Sequence, residues 1–280
     1  MRATTLRLGS RTYDITDRPL IMGILNRTPD SFYDKGLTFE LDDLVRRAGL
    51  LIDQGADLLD VGGVKAGPGP EVGEAEELDR VIPAIEALAA RFDIPLSVDT
   101  WRASVARAAY AAGAVVGNDI SGFADPDYLP AAAEHGATVV ATHIRLGPRI
   151  PDPEPVYDDV VEAVRTFLLE RADRALAAGL APEQIILDAG LDLGKTAQQS
   201  LTLLRASDQL TDLGFPFLLS ASNKTFLGVV LGLEIGQRKE ASVSATSLGA
   251  ILGCRIMRVH EVGAHRQACD AVAAMLAAGR

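Results

Sequence analysis

Eight short apolar runs, separated by helical stretches, are the feature that most limits how this chain can fold. Most runs are continuously apolar rather than alternating, which is typical of parallel strands covered on both faces. The runs span residues 19–25, 57–61, 94–98, 114–118, 137–141, 184–187, 216–219 and 254–259. We therefore predict eight buried strands at these positions.

The stretches between the runs have the spacing of amphipathic helices. The first places its apolar residues at helical intervals and ends near Gly55: Leu41, Leu44, Val45, Ala48, Leu51 and Ile52. The others span residues 74–90, 102–112, 127–135, 156–178, 197–213, 225–231, 240–252 and 261–278. Because strand and helix alternate from end to end, we predict an α/β fold, a (β/α)8 TIM barrel rather than an open sheet.

The first residues of the chain follow a different pattern. Residues 4–17 alternate apolar and polar side chains around Gly9 and Ser10, which predicts a short N-terminal β-hairpin capping one end of the barrel. Such a barrel often takes about 250 residues as one unit. No linker or shift of composition divides the 280 residues, so we expect a single domain over 1–280.

Composition and sequence patterns argue against several kinds of binding partner and cellular location. A net charge of −11 argues against non-specific nucleic-acid binding, which needs a basic face. We find neither a secretory signal nor an apolar stretch of about 20 residues, so we expect no membrane association. Cys254 and Cys269 lack metal-ligand spacing. We predict a cytoplasmic protein.

Polar residues end or follow many of the predicted strands, where a barrel builds its active site. They are Asn26, Asp99, Asn118, Asp188, Lys224, Arg258 and His260. Those that directly end a buried run need partners, since an unpaired buried group costs about 1–3 kcal/mol. A bound heterocycle is one such partner. Arg258 and His260 lie two apart on a strand, share a face, and predict a cationic clamp for phosphate.

Other candidate motifs are interpreted as structural. The segment 190–196 resembles a nucleotide-binding P-loop but is one residue short, with Ala189 where the first glycine should be. We therefore predict that Lys195 and Thr196 start a helix. His143 is predicted to pack in the core, and His135 and His265 to lie at the surface.

Six motifs follow one another along the chain: Ile24-Leu-Asn-Arg-Thr-Pro-Asp-Ser-Phe32, Ser97-Val-Asp-Thr100, Asn118-Asp-Ile-Ser-Gly122, Leu187-Asp-Ala-Gly190 with Gly194-Lys-Thr196, Asn223-Lys-Thr-Phe-Leu-Gly228 and Arg258-Val-His-Glu261. Together, and in this order, they resemble the motifs of the dihydropteroate synthases. The resemblance implies the same barrel and a role in folate biosynthesis. In that family a dihydropterin diphosphate loses its diphosphate, and p-aminobenzoate captures the remaining pterin-methyl cation.

The resemblance also implies roles for individual residues. These roles are in binding, and no residue is predicted to be catalytic. The deep pterin site, here called the inner cluster, would be Asp99, Asn118, Asp188 and Lys224. The outer group, which would bind the diphosphate, is Asn26, Arg258 and His260, with Asn26 as the ligand of a Mg²⁺ ion. Ser222 and Asn223 would border the p-aminobenzoate. Family members are generally homodimers joined through late helices, here residues 240–252 and 262–276.

The chain departs from the family in the second loop, residues 63–73. Where the family usually has Glu-Ser-Thr-Arg-Pro-Gly, this chain has Val64-Lys-Ala-Gly-Pro-Gly69, so Ala66 and Gly67 replace residues that hold the diphosphate. Asn223 likewise replaces an arginine. Losing one donor to transition-state charge typically costs about 2.7–4 kcal/mol. Arg27 and Lys65 are possible compensating cations, as are two arginines of a third loop, Arg145 and Arg149; the alternative is that they are solvated charges.

We therefore expect a dihydropteroate-synthase-like protein with a retained pterin pocket, a degraded diphosphate-binding loop, and weak or no synthase activity. One alternative is an active synthase in which Lys65 or Arg27 replaces the missing arginine. Another is a non-catalytic protein that binds a pterin or a phosphate ligand. Pterin-binding methyltransferases share the barrel, but the Asn-Lys-Thr-Phe-Leu-Gly and Arg-Val-His motifs favour the synthase branch.

Overall fold

Eight parallel strands close into a barrel in the computed structural model, which describes residues 2–28, 40–67 and 69–278. The strands are β3 (Leu20–Asn26), β4 (Leu58–Gly62), β5 (Leu96–Asp99), β6 (Val116–Asp119), β7 (Thr138–Thr142), β8 (Ile185–Asp188), β9 (Phe217–Leu219) and β10 (Ile256–Val259). Each predicted run holds one strand. The (β/α)8 prediction is confirmed.

Strand register brings the polar strand ends to one level. The barrel closes where β10 pairs in parallel with both β9 and β3. At the carboxyl end of β4, Gly62 pairs with Asn26 of β3 on one side and with Asp99 of β5 on the other. Two polar side chains therefore flank a residue that has none.

Helices surround the barrel between successive strands. They are α1 (Leu41–Asp53), α2 (Glu74–Arg91), α3 (Ala103–Ala112), α4 (Tyr128–Glu134), α5 (Val160–Ala177), α6 (Ala197–Arg205), α7 (Ser207–Thr211), α8 (Thr225–Leu231), α9 (Lys239–Leu252) and α10 (Val262–Ala277). The helix predicted over 197–213 is divided at Ala206 into α6 and α7. As predicted, Thr196 starts α6, where its hydroxyl accepts a hydrogen bond from the Gln199 backbone N–H at 3.1 Å.

The predicted N-terminal hairpin is present and closes the amino end of the barrel. Strands β1 (Thr5–Leu8) and β2 (Arg11–Asp14) pair antiparallel. Leu6, Leu8 and Ile15 are fully or almost fully buried in a core that fills the barrel interior together with side chains of its strands. Because this end is packed, side chains at the carboxyl ends of the strands line the open end.

A larger core lies between the sheet and the surrounding helices. Its apolar side chains come from the outward faces of the strands and from the inner faces of the helices, as in α1, where Leu44, Ala48 and Leu51 are fully buried. Within the described ranges, we find no helix with the length and apolar character of a membrane span.

Candidate functional site

The structure brings the inner cluster together at the open end of the barrel. Asp99 and Asp188 are the last residues of β5 and β8, and Asn118 is the penultimate residue of β6. Lys224 follows β9 at the N-cap of α8. Asn118 and Asp188 are almost wholly buried. A rigid sheet therefore fixes most of the cluster.

Asp60 joins this cluster although the sequence analysis did not select it. It is fully buried in the middle of β4 and accepts hydrogen bonds from Ser97 Oγ at 2.5 Å and from Asn118 Nδ2 at 3.1 Å. Arg258 Nε lies 2.7 Å from its second oxygen. The available signal was a carboxylate inside an apolar run, which is almost never buried without a partner.

Arg258 is shared by two carboxylates. Its Nη2 donates to Asp99 at 2.6 Å while its Nε donates to Asp60. The pair of carboxylates offsets the effect of burial and raises the pKa of Arg258 above its usual value. Burial raises the pKa of Asp99 to about 7, against the effect of the Arg258 guanidinium. Because one guanidinium faces two carboxylates, Asp60 and Asp99 keep oxygens that can accept further hydrogen bonds.

Asp188 and Lys224 are positioned by the loop after β8. Asp188 accepts the Gly190 backbone N–H at 2.8 Å, and Lys224 Nζ donates to the Leu191 carbonyl at 2.8 Å. Burial raises the pKa of Asp188 and lowers that of Lys224, whereas their mutual attraction acts in the opposite direction. Asp192, with a left-handed φ of 68°, accepts the Phe226 N–H at 3.2 Å and so ties this loop to α8.

His260 does not supply the charge that the predicted clamp requires. Its Nδ1 lies 3.0 Å from the Ser222 hydroxyl, and burial lowers its pKa to about 3. His260 is therefore neutral at neutral pH, and Arg258 alone carries the positive charge of the pair. Arg258 also faces inward to the carboxylates, so the predicted cationic pair is corrected to one guanidinium.

Lys195 does more than precede a helix. Its buried ammonium lies 2.9 Å from His143 Nδ1 and donates to the carbonyl groups of Gly190 at 2.8 Å and Leu193 at 2.9 Å. Burial lowers its pKa to about 7. His143 is buried, as predicted. The pair joins the loops after β7 and β8.

The surface prediction is right for one histidine and wrong for the other. His135 is exposed. His265 is fully buried between α9 and α10, with Nδ1 2.9 Å from the Thr246 hydroxyl. Burial lowers its pKa to about 4. His265 lies four residues after Glu261, the N-cap of α10, on the face of that helix that contacts α9.

Comparisons with known proteins place this site in a family. The family model described as pterin binding enzyme matches residues 22–260. The chain belongs to this pterin-binding, dihydropteroate synthase family. It is 44% identical to the "Inactive dihydropteroate synthase 2" of Mycobacterium leprae, covering 92% of this chain and 91% of that protein. It is 42% identical to the dihydropteroate synthase of Synechocystis, covering 96% and 94%.

A solved relative shares the whole fold. The dihydropteroate synthase of Burkholderia cenocepacia, whose structure is complexed with 7,8-dihydropteroate, is 39% identical. The two structures superpose with a TM-score of 0.89, covering 100% of this chain and 99% of that chain. The chain therefore has the synthase fold over its full described extent.

The second loop of this family member carries no donor side chain at its two altered positions. Ala66 is half-buried and Gly67 is exposed. A Cβ at Gly67 would meet nothing within 4 Å, so a side chain can begin there without a clash. Lys65 lines a cavity of about 240 Å³ with Thr28, Arg80 and Arg149.

Two of the predicted compensating cations are directed elsewhere. Arg27 Nη1 donates to the carbonyls of Arg80 at 2.6 Å and Asp79 at 3.3 Å on α2. Pro83 lies four residues after Asp79 and has no N–H to bind that carbonyl. Arg145 forms a two-atom ion pair with Asp152. Residues 29–32 of the first motif lie outside the described residues.

Asn223, one of the two residues predicted to border p-aminobenzoate, has an unusual backbone conformation. Asn223 adopts a left-handed φ of 58°, which asparagine tolerates better than most residues. Its N–H donates to the Ser242 hydroxyl at 2.9 Å, and its carbonyl accepts from Arg238 at 3.2 Å. Among the described residues its side-chain Nδ2 has no hydrogen-bond partner. The backbone anchors Asn223, which leaves its amide as a donor.

Proposed function

We propose that this protein binds a pterin-type ligand in the inner cluster and has weak or no dihydropteroate synthase activity. The observation that carries the proposal is the contrast between a complete inner cluster and a second loop whose Ala66 and Gly67 offer no donor side chains. Similar relatives include both a protein named inactive and proteins named as synthases. Family membership alone therefore does not decide activity.

The inner cluster suits the polar edge of a pterin. A pterin presents amino and ring N–H donors beside a carbonyl acceptor. Asp99 and Asp188 can accept from the donors, while Lys224 can donate to an acceptor. Hydrogen bonds to charged groups contribute about 1.5–3 kcal/mol each. Because these side chains are buried, where the local dielectric constant is low, their hydrogen bonds are stronger than in water. The cluster therefore favours a heterocycle whose donors and acceptors match its own.

Loss of diphosphate is the step that the site supports poorly. The departing group gains negative charge, so contacts that stabilise it act on the rate as well as on binding. Arg258 is already shared by Asp60 and Asp99, and His260 is neutral. One missing donor of this kind lowers the rate by roughly 10²–10³.

An active synthase is the second candidate, and the position of Lys65 favours it. Lys65 and Arg149 line the same cavity beside the second loop, where they would place positive charge near an anion. Arg27 is a weaker candidate because its guanidinium contacts α2. If Lys65 replaces the missing arginine, Lys65→Ala collapses measurable turnover.

A Mg²⁺ ion would be held only with help from the ligand. Within the described ranges, no group of three or more His, Cys, Asp or Glu side chains could hold a metal. Asn26 Oδ1 and Asp99 Oδ2 lie 3.7 Å and 3.6 Å from where a Cβ on Gly62 would stand, so two oxygens face a residue that has no side chain. Oxygen donors suit Mg²⁺, which usually also takes phosphate oxygens and waters. Bound there, the ion would neutralise diphosphate charge.

The late helices provide an apolar surface that fits a homodimer. Exposed apolar side chains lie on three consecutive helices: Val229, Val230, Leu231, Leu248, Ile251, Met275 and Leu276. Contiguous apolar patches often mark protein interfaces. We expect Ile251→Asp to convert a dimer to a monomer in light-scattering measurements, and a monomeric wild type would overturn this part of the proposal.

Calorimetry with a diphosphate-free hydroxymethyl-dihydropterin tests the proposed pocket. We expect wild-type protein to bind it, and Asp188→Asn to weaken binding about 10- to 100-fold because a buried charged acceptor is lost. The matched control is Asp173→Asn, the same change at an exposed position on α5. Absence of binding to wild-type protein, or equal weakening in both variants, would overturn the proposal.

A further inference from the structure

Arginine side chains bind the backbone carbonyl groups of the second loop. Arg80 of α2 donates to Gly63 O at 2.8 Å. Arg102, at the N-cap of α3, donates to Val72 O at 2.8 Å and pairs with the buried Glu77. These two hydrogen bonds, here called ties, hold the beginning of the loop to α2 and its end to the N-terminus of α3.

A third tie comes from three strands further around the barrel. Arg149 lies in the segment between β7 and α5, residues 143–159, here called the strap. Its backbone N–H donates to Ala66 O at 3.2 Å, and its guanidinium donates to Lys65 O at 3.4 Å and to Pro70 O. One residue therefore contacts the loop on both sides of its altered positions.

The backbone of Arg149 belongs to a tight turn. The Ile150 N–H donates to the Gly147 carbonyl at 3.3 Å, and Arg149, the third residue of this turn, follows Pro148 and has a left-handed φ of 63°. The turn brings the N–H and the guanidinium of Arg149 to the second loop.

Both ends of the strap are fixed to the loop after β8 or to α6. Near its last residues, Tyr157 Oη donates to Gly194 O at 2.8 Å and Gln199 Nε2 of α6 donates to Pro155 O at 3.1 Å. At its first residue, the carbonyl of His143 accepts from Lys195 Nζ at 3.3 Å. The strap is thus held at both ends by several groups, and its middle is held to the second loop by Arg149.

Barrel topology places this connection beside the inner cluster. Strands β5 and β6 lie between β4 and β7, and their ends carry Asp99 and Asn118. A strap that joins the loop after β7 to the loop after β4 spans that side of the mouth. The contact between strap and loop therefore lies on the side of the mouth that carries Asp99 and Asn118.

We propose that Arg149 is a positioning residue that latches the strap to the second loop and limits exchange of ligand with the inner cluster. The guanidinium, rather than the strap as a whole, supplies the tie. The tie itself does not depend on the proposed function, whereas its effect on a pterin ligand rests on that function. The two parts are therefore tested separately.

Hydrogen exchange on ligand-free protein tests the tie. We expect Arg149→Met to speed exchange about tenfold at the amide of residue 149, whose N–H binds the Ala66 carbonyl, because the guanidinium bonds that resist local opening are lost. Arg145→Met is the matched control, since its ion pair with Asp152 stays within the strap; exchange at residue 149 should then be unchanged. No acceleration in Arg149→Met, or equal acceleration in both variants, would overturn the latch.

A glycine variant separates the backbone from the guanidinium. Arg149→Gly keeps the N–H that binds Ala66 O and adopts the left-handed conformation without strain. We expect it to exchange as fast as Arg149→Met. Exchange at the wild-type rate in Arg149→Gly would show that the backbone bond alone holds the loop and would overturn the assignment to the guanidinium.

Stopped-flow binding of the diphosphate-free pterin tests the effect on ligand exchange. We expect Arg149→Met to raise the association and dissociation rates together by about tenfold, leaving Kd within about threefold of wild type. A change confined to dissociation would make Arg149 a ligand contact and overturn the latch. Failure of wild-type protein to bind pterin would overturn the proposed function, and the exchange experiment would still decide the tie.

Discussion

The inner cluster and the second loop lie at the same face of the barrel but are built by different means. The inner cluster takes its side chains from strand ends and places Asp60 and Arg258 in a buried network. The second loop is held through its backbone carbonyls by arginines from elsewhere, and its two altered positions, Ala66 and Gly67, carry no polar side chain. In the proposed function, ligand recognition and charge neutralisation therefore belong to separately built regions.

Because the two regions are built differently, the second loop can change with less harm to the fold than the inner cluster. Altering the inner cluster leaves buried charges without partners, which costs stability. Altering Ala66 or Gly67 touches exposed or half-buried positions, where substitutions usually change stability by less than about 0.5 kcal/mol. A diverging family member can therefore lose the loop's function while its pocket persists.

The largest expected effect breaks the inner network. Arg258→Met should lower the free energy of unfolding by about 3–5 kcal/mol, because it leaves Asp60 and Asp99 buried without their cation. Urea unfolding measures this change. Adding Asp60→Asn and Asp99→Asn should recover part of the loss. A decrease below about 1 kcal/mol in Arg258→Met would show that the network contributes little to folding.

Acid should destabilise the folded protein, because His143 and His260 are buried in their neutral form. The pKa values of His143 and His260 are about 3 in the folded protein, against an ordinary histidine pKa of 6.5 in the unfolded chain. Between these values the unfolded chain binds protons that the folded chain does not, so stability falls as pH falls from 6.5 toward 3. The slope is at most about 1.4 kcal/mol per pH unit for each histidine. His260→Gln should flatten the measured dependence; an unchanged slope would contradict the assignment.

A smaller effect tests whether Arg27 belongs to the scaffold rather than to an anion site. Arg27→Val should cost about 1 kcal/mol, because it removes hydrogen bonds to the Asp79 and Arg80 carbonyls. In a Pro83→Ala background the cost should shrink, since the substituted residue would supply the N–H that proline lacks. Thermal unfolding of the double-mutant cycle measures the coupling. Equal costs in both backgrounds would contradict the link to Pro83.

The sequence predicted the barrel well because buried parallel strands leave long continuous apolar runs. The structure extends most strands one residue further, into polar ends such as Asn26, Asp99 and Asp188. Those same polar ends predicted the inner cluster. Asp60 was missed because it lies inside a run. The contact of Lys195 with His143 and that of Arg149 with Lys65 were missed because they join residues 52 and 84 positions apart. The single domain, the dimer and the cytoplasmic location stay predictions.

The proposed function combines retained pterin recognition with turnover lost at the second loop. We would measure dihydropteroate formation from dihydropterin diphosphate and p-aminobenzoate with Mg²⁺, comparing wild type with the double variant Ala66→Thr, Gly67→Arg. We expect wild-type turnover to lie about 100-fold or more below the restored variant, as loss of such a donor implies. Wild-type turnover as fast as that of the restored variant would contradict the claim.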